Sequence, residues 1–228
     1  MTSIFPENVP RRGRPPKTET QLDQVRDRIL TATRTVFARV GYHALSVELV
    51  LAEAGVSRPT FYKYFPSLDD VLERLLTEVN EDLITRLLGA LVSVEAPFAK
   101  VEAAVLAWRQ WGEDLGDFLR PFFAELHNPT SPVGHHRQRT LGLLTGQVAT
   151  AVELLGRERP SPLRVATFLN GVEYLGYHYH LNTPRDAASW QETREAMFRL
   201  ALGLLGEEGD WGNAPALARE FDIHLNGR

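Results

Sequence analysis

The stretch from Ala54 to Phe65, Ala-Gly-Val-Ser-Arg-Pro-Thr-Phe-Tyr-Lys-Tyr-Phe, constrains this chain more than any other. Gly55 supplies a left-handed turn at no steric cost, and Ser57 is placed to cap a helix that starts at Arg58. Pro59 falls in the first helical turn, where a missing N–H costs little because those donors have no intrahelical partner. The turn and the helix after it are therefore both encoded locally. Arg58, Thr60, Tyr62, Lys63 and Tyr64 bring hydroxyls and cations, the groups that bond phosphate oxygens and base edges. Val56, Phe61 and Phe65 remain to anchor the helix. The segment reads as the turn and second helix of a helix-turn-helix. The plainer alternative is an ordinary helix corner in which Tyr62 and Tyr64 are half-buried aromatics.

Apolar positions upstream recur at helical spacing through Leu22, Val25, Ile29, Ala32, Val36, Phe37 and Val40, with Gly41 as a stop. Ser46 caps a second helix over Val47 to Glu53. Pro66 ends the recognition helix, and Ser67 caps a long fourth helix through Leu87. Beyond residue 92 no segment alternates with period two, so the remainder reads as all helix. Pro97 starts a fifth helix with Val101, Val105, Trp108 and Trp111. A sixth, through Phe118, Phe122, Phe123 and Leu126, is interrupted by Pro121 and closes at Asn128-Pro129. The stretch to Gly134 holds two prolines and reads as a loop, with a seventh helix from about His135 to Leu155. Residues 163–181 and 187–205 form a final strong pair, and 213–223 a short terminal helix. Gly171 and Gly176 in the first of that pair, with Ala188, Ala196 and Ala201 in the second, predict close approach of the two.

Net charge is −4 over 228 residues, a poor total for a nucleic-acid binder. The distribution matters more than the total. Residues 1–65 carry ten Lys/Arg and six Asp/Glu, a balance of +4, which leaves −8 for the rest. A basic head on an acidic body suits binding that is local and salt-sensitive. No apolar run approaches the roughly eighteen residues needed to cross a bilayer. The N-terminus has no apolar core of a secretory signal, and the absence of cysteine excludes disulfides and thiolate metal sites. These features predict a cytoplasmic protein with no membrane partner.

Residues 1–18, rich in proline and arginine, are expected to form a flexible arm. Within it Arg12-Gly13-Arg14-Pro15 resembles an AT-hook, in which glycine lets the backbone sit deep in the minor groove while arginines meet its negative potential. The alternative is a solvated basic tail that touches phosphates without preference.

The pattern Ala-Gly-Val-Ser-x-x-Thr-x-Tyr-x-Tyr-Phe, extended upstream to about Val25 and downstream to about Leu76, resembles the DNA-binding end of the TetR family of regulators. Leu51 departs from the alanine more usual there, and Pro59 from glycine or alanine. The resemblance implies three parts: the arm over 1–18, a three-helix DNA-binding domain over 19–67, and a larger helical body over 68–228 for ligand binding and dimerisation. It implies a homodimer whose last two long helices form a four-helix bundle with their symmetry mates. The partners implied are double-stranded operator DNA and a small-molecule effector. Arg58, Thr60, Tyr62 and Lys63 are expected near bases and phosphates, with Ser46, Ser57 and Tyr64 positioning the head.

Family members hold an inducer among the middle helices, where aromatics concentrate in this chain. Trp108, Trp111, Phe118, Phe122, Phe123, Tyr174 and Tyr177 are candidate apolar contacts, and His127, Asn170 and His178 candidate polar ones. Aromatics at helical spacing are also ordinary core. His135 and His136 are adjacent, and His178 and His180 two apart, so neither pair shares a helix face for a metal. No H-E-x-x-H, G-x-S-x-G, G-x-G-x-x-G or P-loop spacing occurs, and no metal, cofactor or catalytic role is expected. The rival from another class is an architectural A·T-rich DNA binder dominated by the arm.

Overall fold

A computed structural model describes residues 19–181 and 184–223. The expected arm over 1–18, with Arg12, Gly13 and Arg14, lies outside the described residues. Among those described there are ten α-helices, one short 3-10 turn and no strand. No helix among them is long and apolar enough to cross a membrane.

Helices α1 (Glu19–Val40), α2 (Val47–Ala54) and α3 (Arg58–Tyr64) form the head. Each of the serines expected to cap does so. The Leu49 N–H donates to Ser46 Oγ at 3.3 Å, the Thr60 N–H to Ser57 Oγ at 3.3 Å, and the Asp70 N–H to Ser67 Oγ at 3.1 Å. A cap of this kind contributes about 1 kcal/mol, a large share for helices as short as α2 and α3. Gly55 closes α2 in the left-handed region, with φ 61° and ψ 39°. Val25, Ile29, Val36, Phe37, Val50, Phe61 and Phe65 are buried as one cluster, and half-buried Leu51 packs on it.

From the head, α4 (Leu68–Val92) runs the length of the body. Val71, Leu72, Leu75, Leu76 and Val79 belong to the same core as the head residues, so head and body are not separately packed. α5 (Pro97–Leu115) lies along α4, followed by a 3-10 turn (Gly116–Phe118) and α6 (Leu119–Glu125). The expected break at Pro121 falls earlier, at Gly116, whose φ of 55° departs from the helix. Pro121 sits in the first turn of α6, where it removes no needed donor.

The seventh helix also begins earlier than its prolines suggest. α7 spans Pro132–Leu154, with Ser131 as its N-cap and Pro132 in the first turn. Gly134 packs so closely on the preceding turn that a Cβ there would lie 1.9 Å from the Asn128 carbonyl oxygen. α8 (Pro162–Leu181) and α9 (Ala187–Leu205) pair as expected, and α10 runs over Glu208–Glu220, longer than the 213–223 segment foresaw. The two glycines of α8 serve different neighbours. A Cβ on Gly171 would meet Leu200 of α9 at 2.7 Å, but on Gly176 it would meet the Trp108 ring of α5 at 1.7 Å. Gly176 therefore admits an indole, not α9.

Candidate nucleic-acid interface and effector cavity

α3 separates its faces cleanly. Phe61 is fully buried and Phe65 nearly so, while Ser57, Arg58, Pro59, Tyr62 and Lys63 are exposed and Thr60 is half-buried. Thr60 Oγ1 shares a 2.8 Å hydrogen bond with Ser57 Oγ, so its hydroxyl is tied to the cap. Tyr64 is half-buried with an enclosed, unpartnered Oη, a supporting place rather than one on the outer face. Arg58 pairs with Glu48 of α2 across the turn, both side chains being well exposed. An exposed pair of this kind contributes little, less than a good bidentate base contact does. The guanidinium is held near α3 by an exposed contact that a stronger one can replace.

One supporting residue has no signal in the motif itself. Arg28 of α1 donates through Nη2 to the carbonyl oxygens of Ala54 and Gly55, at 2.6 and 3.1 Å. It satisfies acceptors at the C-terminal end of α2 and holds the turn from behind. Its place on the exposed side of α1 was readable, but nothing in the spacing linked it to a turn 26 residues on.

A cavity of about 320 Å³ lies between α4, α5, α6, α7, α8 and α9. That is at the small end of the roughly 300–1,000 Å³ typical of ligand sites. α4 contributes Asn80, Leu83, Leu87 and Leu91, so the helix that carries the head is also a cavity wall. Of the expected ligand residues, Trp108, Trp111, Phe122 and Tyr177 line it. The other six do not; Phe123 packs on Tyr177, with ring centroids 4.6 Å apart.

Phe118 is buried against Phe37 of α1, with ring centroids 5.0 Å apart. His127 is exposed beyond α6, and Tyr174 and His178 stack on each other on the outer side of α8, with Tyr174 59% exposed. Asn170 stands one layer back, where its Oδ1 accepts from Arg137 at 2.6 Å. Periodicity turned Phe118 inward without saying towards which neighbour, and it did not mark Tyr174 and His178 as outward positions. Trp111 is a wall and a strut at once: its indole N–H donates to the Val79 carbonyl of α4 at 3.2 Å.

The polar residues of the cavity wall are mostly committed. Arg137 is spent on Glu173 and Asn170, Asn80 donates to Thr140 at 3.2 Å, and Lys100 donates to the carbonyls of Leu91 and Val94. His136, missed as a site residue, lines the cavity with Nδ1 3.0 Å from Glu73 of α4. Burial pushes the Glu73 carboxyl up, but hydrogen bonds from His136 and Arg139 outweigh it and hold it below the usual range. No group of three or more metal-ligating side chains occurs among the described residues.

His180 lies beside Trp108 at 5.6 Å and fits only because residue 112 is glycine; a Cβ there would stand 2.1 Å from Nε2. Burial lowers its pKa to about 4, against an upward pull from Glu113 and with help from Arg185 and Arg109. The unfolded chain takes up this proton near the ordinary histidine value of about 6.5. Stability is therefore complete above that value and falls as pH drops from about 6.5 towards 4. After allowance for solvent screening the expected loss is about 2 kcal/mol. Urea unfolding at pH 7 and 4.5 checks it. His180→Phe should lose less on acidification than the unaltered chain, and an equal loss would remove His180 from the account.

Residues 29–75 match the family model described as bacterial regulatory proteins, tetR family. The HTH-type transcriptional regulator BetI of Vibrio parahaemolyticus is 35% identical over 68 residues, covering 30% of this chain and 34% of that protein. The HTH-type transcriptional activator FasR of Mycolicibacterium smegmatis is 30% identical over 86 residues, 38% of this chain and 39% of that one. The chain spans between a third and about half the length of the curated relatives it matches. Its fold is similar over far more of the molecule. SCO4454, a TetR-family transcriptional regulator from Streptomyces coelicolor, has TM-score 0.58 at 19% identity, covering 81% of this chain and 97% of the other. Thermus thermophilus FadR, a TetR-family repressor solved with lauroyl-CoA, has TM-score 0.56 at 23% identity, with 80% and 96% covered. With the helix-turn-helix, its caps and the helical body behind it in place, the chain carries over residues 29–75 the DNA-binding region of the tetR family of bacterial regulatory proteins.

Proposed function

We propose that the chain is a homodimeric, effector-responsive transcriptional repressor without catalytic activity, working in the cytoplasm on a near-palindromic operator. The observation that carries this reading is the division of α3. Phe61 and Phe65 lock the helix, while Arg58, Pro59, Tyr62 and Lys63 stand in solvent. In this account Arg58, Thr60, Tyr62 and Lys63 meet base edges and phosphates, Ser46, Ser57 and Tyr64 set the helix, and residues 19–67 act as the reading head. Arg12, Gly13 and Arg14 are proposed to follow the adjacent minor groove.

Dimerisation is assigned to the outer face of α8 and α9. Gly171, Tyr174, Leu175, Ala196 and Leu200 form an open apolar groove there, edged by Arg199. Two heads brought together this way would engage major grooves about 34–36 Å apart, or a multiple of it. The cavity is assigned to an apolar effector. The lauroyl chain of the lauroyl-CoA held by FadR is of that class, although its CoA part is charged. An effector shifts the heads only as far as it binds the DNA-free arrangement better than the DNA-bound one.

Selection of tight binders from fragmented genomic DNA, with the full chain beside one shortened by residues 1–18, tests the reading. A shared near-palindrome supports it; enrichment of A·T-rich fragments lost with the arm would replace it with the architectural alternative. On the selected operator, Lys63→Ala should weaken binding to all sequences and reduce the salt slope by about 1, while Arg58→Ala should also relax base preference at a cost of about 1–3 kcal/mol. An unchanged salt slope for Lys63→Ala would remove it from the phosphate contacts.

A further inference from the structure

His136 differs from every other polar residue of the cavity wall. Its side chain is about nine-tenths buried, Nδ1 is turned to the Glu73 carboxylate of α4, and Nε2 is enclosed with no partner. The other enclosed, unpartnered side-chain atoms among the described residues belong to Tyr64 and His180, and neither lines the cavity. Nε2 has almost no accessible surface of its own, so a ligand group in the cavity meets it only by displacing the wall around the ring; once there it recovers an interaction nothing else in the wall provides, because a buried polar atom left without a hydrogen bond is unfavourable.

Which group this is follows from the ring's chemistry. A carboxylate accepts only, so the nitrogen facing Glu73 carries the proton. In the neutral ring the other nitrogen then presents a lone pair. The remaining wall offers no competing site for an anion, because Arg137 is spent on Glu173 and Asn170 and Lys100 on backbone carbonyls. Leu83, Leu87, Val105 and Trp108 make the rest of the enclosure apolar.

We propose that the effector is an uncharged apolar molecule bearing a hydroxyl, whose O–H donates to His136 Nε2. This rests on the cavity being the effector site. The hydroxyl so bound is joined through the imidazole to Glu73, and Glu73 belongs to the helix that carries the head. While the ring is neutral, a carboxylate of the same length is disfavoured at this position, because it would face a lone pair and a second carboxylate beyond it.

Titrating the full chain with 1-decanol, 1-methoxynonane and decanoate, followed through the fluorescence of Trp108 and Trp111 on the cavity wall, tests the assignment. The alcohol should bind at least tenfold more tightly than the ether of equal length, and decanoate more weakly than either. In His136→Phe, which keeps a ring of similar size, the advantage of the alcohol should vanish while the ether binds as before. A second measurement spares the fold: in the unaltered, nitrogen-15-labelled chain, the His136 Nε2 resonance should move with the alcohol and not with the ether. Equal binding of alcohol and ether, or preference for decanoate, overturns the hydroxyl assignment and leaves the apolar cavity standing. Failure of all three to bind overturns the cavity reading itself.

Discussion

Gly176→Ala should cost about 1–3 kcal/mol or more in stability and should deform the cavity, although it adds one methyl group to a helix. In most helices that exchange is favourable by about 0.5–1 kcal/mol. Here the new Cβ would lie 1.7 and 1.9 Å from Cζ3 and Cη2 of Trp108, so the indole has to move. Trp111, Tyr177 and His180 hold it on its other sides, at centroid distances of 5.8, 5.6 and 5.6 Å. The cavity is the remaining direction. The expected result is a lower urea midpoint, altered tryptophan emission and loss of affinity for apolar probes. Gly142→Ala is the control, since nothing lies within 4 Å of its Cβ position, and it should be neutral or slightly stabilising. Equal stability of the two variants would show that Trp108 has room the geometry does not reveal.

Phe61→Ala should remove operator binding altogether while leaving the cavity able to take a ligand. Truncating a fully buried phenylalanine costs about 3–5 kcal/mol, and Phe61 has no exposed surface at all. α3 has seven residues, too few to persist without tertiary contacts. Once the ring is gone, the Ser57 cap at about 1 kcal/mol cannot hold the helix. Phe61→Leu, closer in volume, should cost under about 1.5 kcal/mol and retain measurable binding. Mobility shifts on the selected operator and fluorescence titration of the cavity separate the two outcomes. Operator binding by Phe61→Ala at unaltered affinity would mean that α3 is not the reading element.

The head was more legible than the body for a physical reason. Its turn, caps and breakers act over three or four residues: Ser46, Gly55, Ser57 and Ser67 each find their partner within that distance. Prolines misled further on. Pro121 and Pro132 both sit in first turns, where proline is tolerated, so a residue read as a breaker was a starter. The cavity was half visible. Helical spacing correctly turned Trp108, Trp111, Phe122 and Phe118 inward, but whether an inward ring meets a void or another ring depends on residues far away in sequence. Phe118 faces Phe37, 81 positions earlier. His136 carries no site signal in the sequence, because adjacency to His135 argues only against a shared metal and the spacing holds no trace of Glu73.

The contact of Phe118 with Phe37 has a mechanical meaning. The head continues into α4 through the chain, and it is also fastened from the side. Phe37 packs on Phe118, Arg34 lies 5.6 Å over the Phe118 ring, and His43 meets buried Glu125 at 3.2 Å. A rigid body tethered at one point can wag through a cone; fastened along its side as well, it moves with what it is fastened to. A movement of α4 against α6 would therefore strain these side contacts rather than leave the head free to follow α4 alone.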